Sequence, residues 1–172
     1  MASMKQSSIL QGVAQKGSVL QVVSVTKTDT FTTTSASFED VTGLSVNITP
    51  VSTSSKIYVS VYIPFASNIS TVRRAGWSVF RGSTNLVVPD SPGSRVPVAH
   101  WPSDQGLDSN DQFRASSFTI LDSPSTASET TYKVRAIVED GGTGYVNRAQ
   151  DDGDSISKPR GVSTITVMEV AG

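Results

Sequence analysis

The chain reads as an all-β protein: an antiparallel two-sheet β-sandwich, jelly-roll-like, of about eight to ten strands. Two observations predict it. Short runs alternate apolar and polar residues without a fault, as in Leu44-Ser45-Val46-Asn47-Ile48-Thr49 and Ile57-Tyr58-Val59-Ser60-Val61-Tyr62-Ile63. Successive side chains of a strand point to opposite faces, so each run offers one face to a core and one to water. The runs are also evenly spaced by clusters of Ser, Thr, Gly, Pro, Asn and Asp, and no segment sustains a helical period. Such spacing favours an open sandwich over a closed barrel.

Residues 1–16 read as an N-terminal arm and 17–172 as the sandwich domain. In the arm, Ile9, Leu10 and Val13 have roughly the spacing of a turn or two of helix, which Gly12 and Gly17 weaken. So short a segment has no core of its own and is expected to order on another protein. Val19–Val25 is dense enough in apolar residues for a strand covered on both faces. Thr26 to Thr34 stays extended around Phe31, and Phe38 leads through Gly43 into the run ending at Thr49. Pro50–Ser55 is read as a hairpin turn, and Pro64 as the end of the next strand or the mark of an edge.

Gly76–Arg81 is a strand that turns at Gly82–Asn85 into Leu86–Val88. Pro89 to Asn110 lacks any period, and a loop of that length in a compact domain goes with function or partner contact. Strands resume at Phe113–Leu121 and Tyr132–Val138, separated by the turn Asp122–Ser125. Asp140–Gly144 reads as a hairpin turn into Tyr145–Arg148. The acidic loop Asp151–Asp154 precedes a last strand, Val162–Val170, that is apolar on both faces. Such a strand is either central in its sheet or buried against a second subunit.

A length of 172 residues fits one domain. Charged residues make up 17% and the net charge is −1, with no block of Lys or Arg; nucleic-acid binding by electrostatics is not expected. No stretch approaches a membrane span, and the N-terminus lacks the apolar segment of a signal peptide. Cysteine is absent, in keeping with synthesis in a reducing cytosol.

Candidate chemistry is sparse. The single histidine, His100, stands beside Trp101 in the long loop with no second His or Cys to join it. A triad or zinc site needs more partners than that, so a packed loop histidine is expected. Asp151-Asp152-Gly153-Asp154 lacks calcium-loop spacing and reads as a solvated turn. The Gly141-Gly142 segment has no Gly-Lys-Ser/Thr ending and no helix behind it to cradle phosphate. Glu39-Asp40 and Glu139-Asp140 are strand neighbours pointing apart, unlike a glycosidase pair. The expectation is a protein that is not an enzyme, with no catalytic, cofactor or metal residues. Trp77 is expected in the core. Trp101 and Tyr145, in or beside loops, are expected to pack on a partner or stack on a sugar ring.

Several blocks in order resemble the small β-rich virion structural domains of tailed bacteriophages, cyanophages especially. They are Gly17-Ser18-Val19-Leu20-Gln21-Val22-Val23, Val41–Pro50 with Ser54–Ile57, Phe80-Arg81-Gly82-Ser83-Thr84, Leu121-Asp122-Ser123-Pro124, Thr131-Tyr132-Lys133-Val134, and Gly161–Val170. The blocks are spread over most of the range 17–172. The resemblance implies a non-enzymatic tail-fibre or virion structural protein, located in the virion and assembled as a homotrimer. Fibres carry a longer adaptor and shaft than the sixteen residues ahead of the first strand here, which favours a capsid-decorating (cement) role. The expected partners are copies of itself and the major capsid protein or another virion protein, through Ile9, Leu10, Val13, His100, Trp101 and Tyr145. The alternative is a tail-fibre tip or adhesin that binds host surface glycan.

Overall fold

A computed structural model describes residues 15–68, 74–90, 93–101, 110–139 and 141–172. Within them lie ten strands and no helix: β1 (Val19–Lys27), β2 (Phe31–Thr33), β3 (Glu39–Ile48), β4 (Lys56–Ser67), β5 (Ala75–Arg81), β6 (Thr84–Asn85), β7 (Arg114–Asp122), β8 (Thr130–Val138), β9 (Gly144–Val146) and β10 (Ser163–Val170). Every pairing between these strands is antiparallel. The first sheet places β1, β10, β4 and β7 side by side, and the second places β3, β8, β5 and β6. Short β9 continues the line of β10, pairing β2 on one side and the end of β4 on the other.

The neighbours are nested in sequence: β1 with β10, β3 with β8, β4 with β7, β5 with β6. The chain is therefore one long antiparallel hairpin, with its tip at Gly82 and Ser83, rolled so that alternate pairs fall in opposite sheets. That winding is a jelly roll. The alternating runs supply its core: Leu44 and Val46 on β3, Ile57, Val59, Val61 and Ile63 on β4, and Val134 on β8 are at most 3% exposed. Trp77 is fully buried, as expected, and its indole donates to Ser116 Oγ at 3.1 Å, so its polar atom stays paired. Asp122 of β7 ties the sheets together. It accepts Arg81 twice, at 3.0 and 2.8 Å, and the Tyr132 hydroxyl at 2.7 Å. Burial, reinforced by this carboxylate, pushes the Tyr132 phenol well above its ordinary value.

Four local expectations are corrected. Residues 50–55 are not a hairpin turn, because β3 and β4 lie in different sheets; the same holds between β8 and β9. An alternating run can bury its inner face in either sheet, and turn chemistry alone does not choose. Strand β1 is not covered on both faces. It is an edge strand with one neighbour, and Val19 and Val22 are each 55% exposed. Strand β10 is instead the central strand that its sequence allowed, between β1 and β4.

Pro64 does not end β4. Its carbonyl accepts the Asn147 amide at 3.0 Å, on the side where β10 stops and β9 begins. In an antiparallel strand the N and C=O of one residue point to the same side. The missing N–H of Pro64 thus faces a gap in the ladder, where it costs no bond.

Candidate functional site

Within the long loop, the described residues 93–101 are built onto the second sheet. Asn85 accepts the Ser78 hydroxyl at 2.7 Å and donates to the Pro97 carbonyl at 2.8 Å. Beyond it, the Ala99 amide bonds the Trp77 carbonyl at 2.9 Å, and the Trp77 amide bonds the His100 carbonyl at 3.1 Å. Residues 97–100 thereby strap the edge of β5 beyond the short β6. Trp101 then folds over Gly76, where a Cβ would stand 2.5 Å from both the indole and the His100 carbonyl oxygen. Only glycine leaves room for that ring. Beside it opens a cleft of about 330 Å³ whose walls include Val96, Trp101, Ile137, Arg74 and Glu139.

His100 is a packed residue. Its ring lies tilted against Trp77 at a centroid distance of 6.5 Å, and Nε2 is buried without a hydrogen-bond partner. Burial, with Arg114 nearby, holds its pKa below the ordinary value and keeps it neutral.

Tyr145 lies elsewhere. Gly144 and Val146 are buried on the inner side of β9, so Tyr145 points out from the first sheet, under the Arg148 guanidinium at 4.8 Å. Trp101 sits outside the second sheet. The two aromatic candidates therefore face opposite sides of the sandwich and form no common platform. Ile9, Leu10 and Val13 lie outside the described residues.

The acidic loop is occupied by its own cations. Asp151 pairs Lys158 at 2.5 Å, and Asp152 pairs Arg160 at 2.5 Å and Arg148 at 3.4 Å. The Gly153 amide closes an Asx turn on Asp151 at 3.2 Å. The Lys158 hydrogen bond, chiefly, holds the Asp151 carboxyl below its usual range. Among the described residues no three of His, Asp or Glu gather to hold a metal.

Two polar residues escaped the sequence reading. Asn147, expected as an ordinary strand residue, has φ +62° and is fully buried. Its amide donates to the Lys27 and Asp29 carbonyls, both at 2.9 Å, and its oxygen accepts Ser163 Oγ at 2.6 Å. It pins the corner between β1 and β2 to the start of β10. Glu169 is also fully buried, accepting Gln21 Nε2 at 2.6 Å and the Val51 amide at 2.8 Å. Burial opposes its charge, but these hydrogen bonds outweigh it and hold the carboxyl below its ordinary value. The signal was present in parity: 165, 167 and 169 share one face of β10.

The outer face of the first sheet is unlike that of the second. Across it, pairing aligns Val22, Met168, Tyr58 and Leu121 in one row. The next row is Ser24, Thr166, Ser60 and Thr119. A third is Thr26, Thr164, Tyr62 and Ser117. None of these residues is charged, and Val22, Tyr58, Tyr62 and Leu121 are all exposed. The second sheet instead carries the Asp40–Lys133 and Asp40–Arg135 ion pairs, at 2.7 and 2.9 Å, and the loop strap.

No family model matches the chain, and no curated protein matches it. Among solved structures it is similar to a chain in "Structure of infectious bursal disease virus Gx strain", at 13% identity and a TM-score of 0.44. The alignment covers 99% of this chain and 43% of that one, so this chain spans less than half of its length. Likeness of that extent decides neither fold nor function, and the jelly roll rests on the strand pairing alone.

Proposed function

We propose that the chain is a non-enzymatic structural protein of a viral particle. In this reading it stands on the outside of the shell, bound to the major capsid protein as an assembly of identical copies, three in number by the resemblance to phage virion domains. The observation that carries the proposal is the nested eight-strand jelly roll, each strand of which contains part of a block that bears that resemblance. Jelly rolls also serve lectins and cupins, and a fold by itself does not name a function. What supports the structural role is the use of the polar residues. Asp122, Asn147, Glu169, Asp151 and Asp152 all serve hydrogen bonds or ion pairs that hold the domain together.

The test is immunogold labelling of purified particles, with copies per particle counted by quantitative mass spectrometry. Hundreds of copies on the head are expected. Absence of the protein from particles overturns the proposal. The cleft beside Trp101, with Arg74 and Glu139 on its rim, favours one second reading: a fibre tip or adhesin that stacks a sugar ring on the indole. A small multiple of three copies, at the tail, would select it.

A further inference from the structure

We propose that copies of this chain meet face to face through the outer surface of the first sheet, along the rows described above. A solvent-facing surface ordinarily intersperses charged residues of both signs, which keep it soluble. Three consecutive rows across four strands here carry none. One row is led by Val22, Met168, Tyr58 and Leu121, and the other two are dominated by hydroxyl side chains. A hydroxyl both donates and accepts, so such a surface is chemically complementary to itself. A second copy meets no like-charge penalty and leaves no charge unpaired. A charged partner would find no counter-charge in these rows.

The size of the face bears on strength. Strands about 4.8 Å apart and rows about 6.7 Å apart give roughly 400 Å² of flat area per copy. Two copies thus bury roughly 800 Å² of flat area, below the ~1,200 Å² lower bound of stable specific interfaces, which suits a weak, reversible contact. Pairing like with like is two-fold by construction. It makes a dimer, or joins two three-fold assemblies into a hexamer. The inference goes beyond the particle role and does not depend on it.

Sedimentation velocity of the full chain from about 1 to 200 µM tests it. Species with an even number of copies are expected. Thr119→Arg, in the middle row on an exposed edge-strand position, should weaken association at least tenfold. Val88→Arg, at a side chain 80% exposed just after β6 of the second sheet, should not. Circular dichroism checks the fold. Should Thr119→Arg fail to fold, Leu121→Arg, which changes a side chain 51% exposed, reads the same contact. A monomer throughout, a trimer alone, or association indifferent to these substitutions overturns the proposal. Because the measurement uses purified protein, it can fail while particle labelling succeeds, and the reverse.

Discussion

Replacing Asn147 should cost more stability than any exposed strand position. Its side chain is fully buried, and its φ of +62° lies in the left-handed region that Asn tolerates and alanine resists. Asn147→Ala removes the bonds to the Lys27 and Asp29 carbonyls and leaves Ser163 Oγ without its acceptor. Asp29 lies at an exposed bend, so its carbonyl can turn to water. Lys27 and Ser163 are 2% and 0% exposed, so their groups are orphaned. At about 1–2 kcal/mol for each buried orphan and about 1 kcal/mol for the backbone, the loss is about 3–5 kcal/mol. That is a large share of the ~5–15 kcal/mol available to a domain. Asn147→Gly keeps both orphans but relieves the backbone, and should lose about 1 kcal/mol less. Urea unfolding reads both: with a slope of about 2 kcal/mol per molar, the alanine midpoint falls by about 1.5–2.5 M. A loss below about 0.5 kcal/mol, or a glycine variant less stable than the alanine one, would refute the reasoning.

Two further outcomes follow from the same structure. In Gly76→Ala the new Cβ meets the Trp101 ring and the His100 carbonyl at 2.5 Å. The strap should then lift, costing about 1–3 kcal/mol, and tryptophan emission should shift to the red as Trp101 is exposed while Trp77 stays buried; unchanged emission and stability contradict this. Acid should weaken the fold in two stages. His100 has a folded pKa below 6.5, so the unfolded chain takes up its proton first and stability falls as pH drops below about that value. Glu169 has a folded pKa below 4.5, so its contribution is present above that pH and is lost beneath it. His100→Gln should remove only the upper stage of a urea-midpoint series from pH 8 to 3.5, and a gain in stability between pH 7 and 5 would count against the assignment.

The sequence by itself determined the strands and their inner faces. Alternation at 44–49 and 57–63 is a local property of a pleated chain, so Leu44, Val46, Val59 and Val61 were legible as core before any pairing was known. It also showed His100 to be the single histidine of a chain without cysteine. Which strand stands beside which was decided only by the tertiary structure. Residues 50–55 carry the same turn chemistry whether they close a hairpin or cross between sheets, and the jelly-roll winding selected the crossing. The tolerance of Pro64 in mid-strand, the left-handed Asn147 and the opposite placements of Trp101 and Tyr145 depend on neighbours far away in sequence. The uncharged rows outside the first sheet arise in the same way, because residues 22, 58, 119 and 168 become one surface only when β1, β10, β4 and β7 lie side by side.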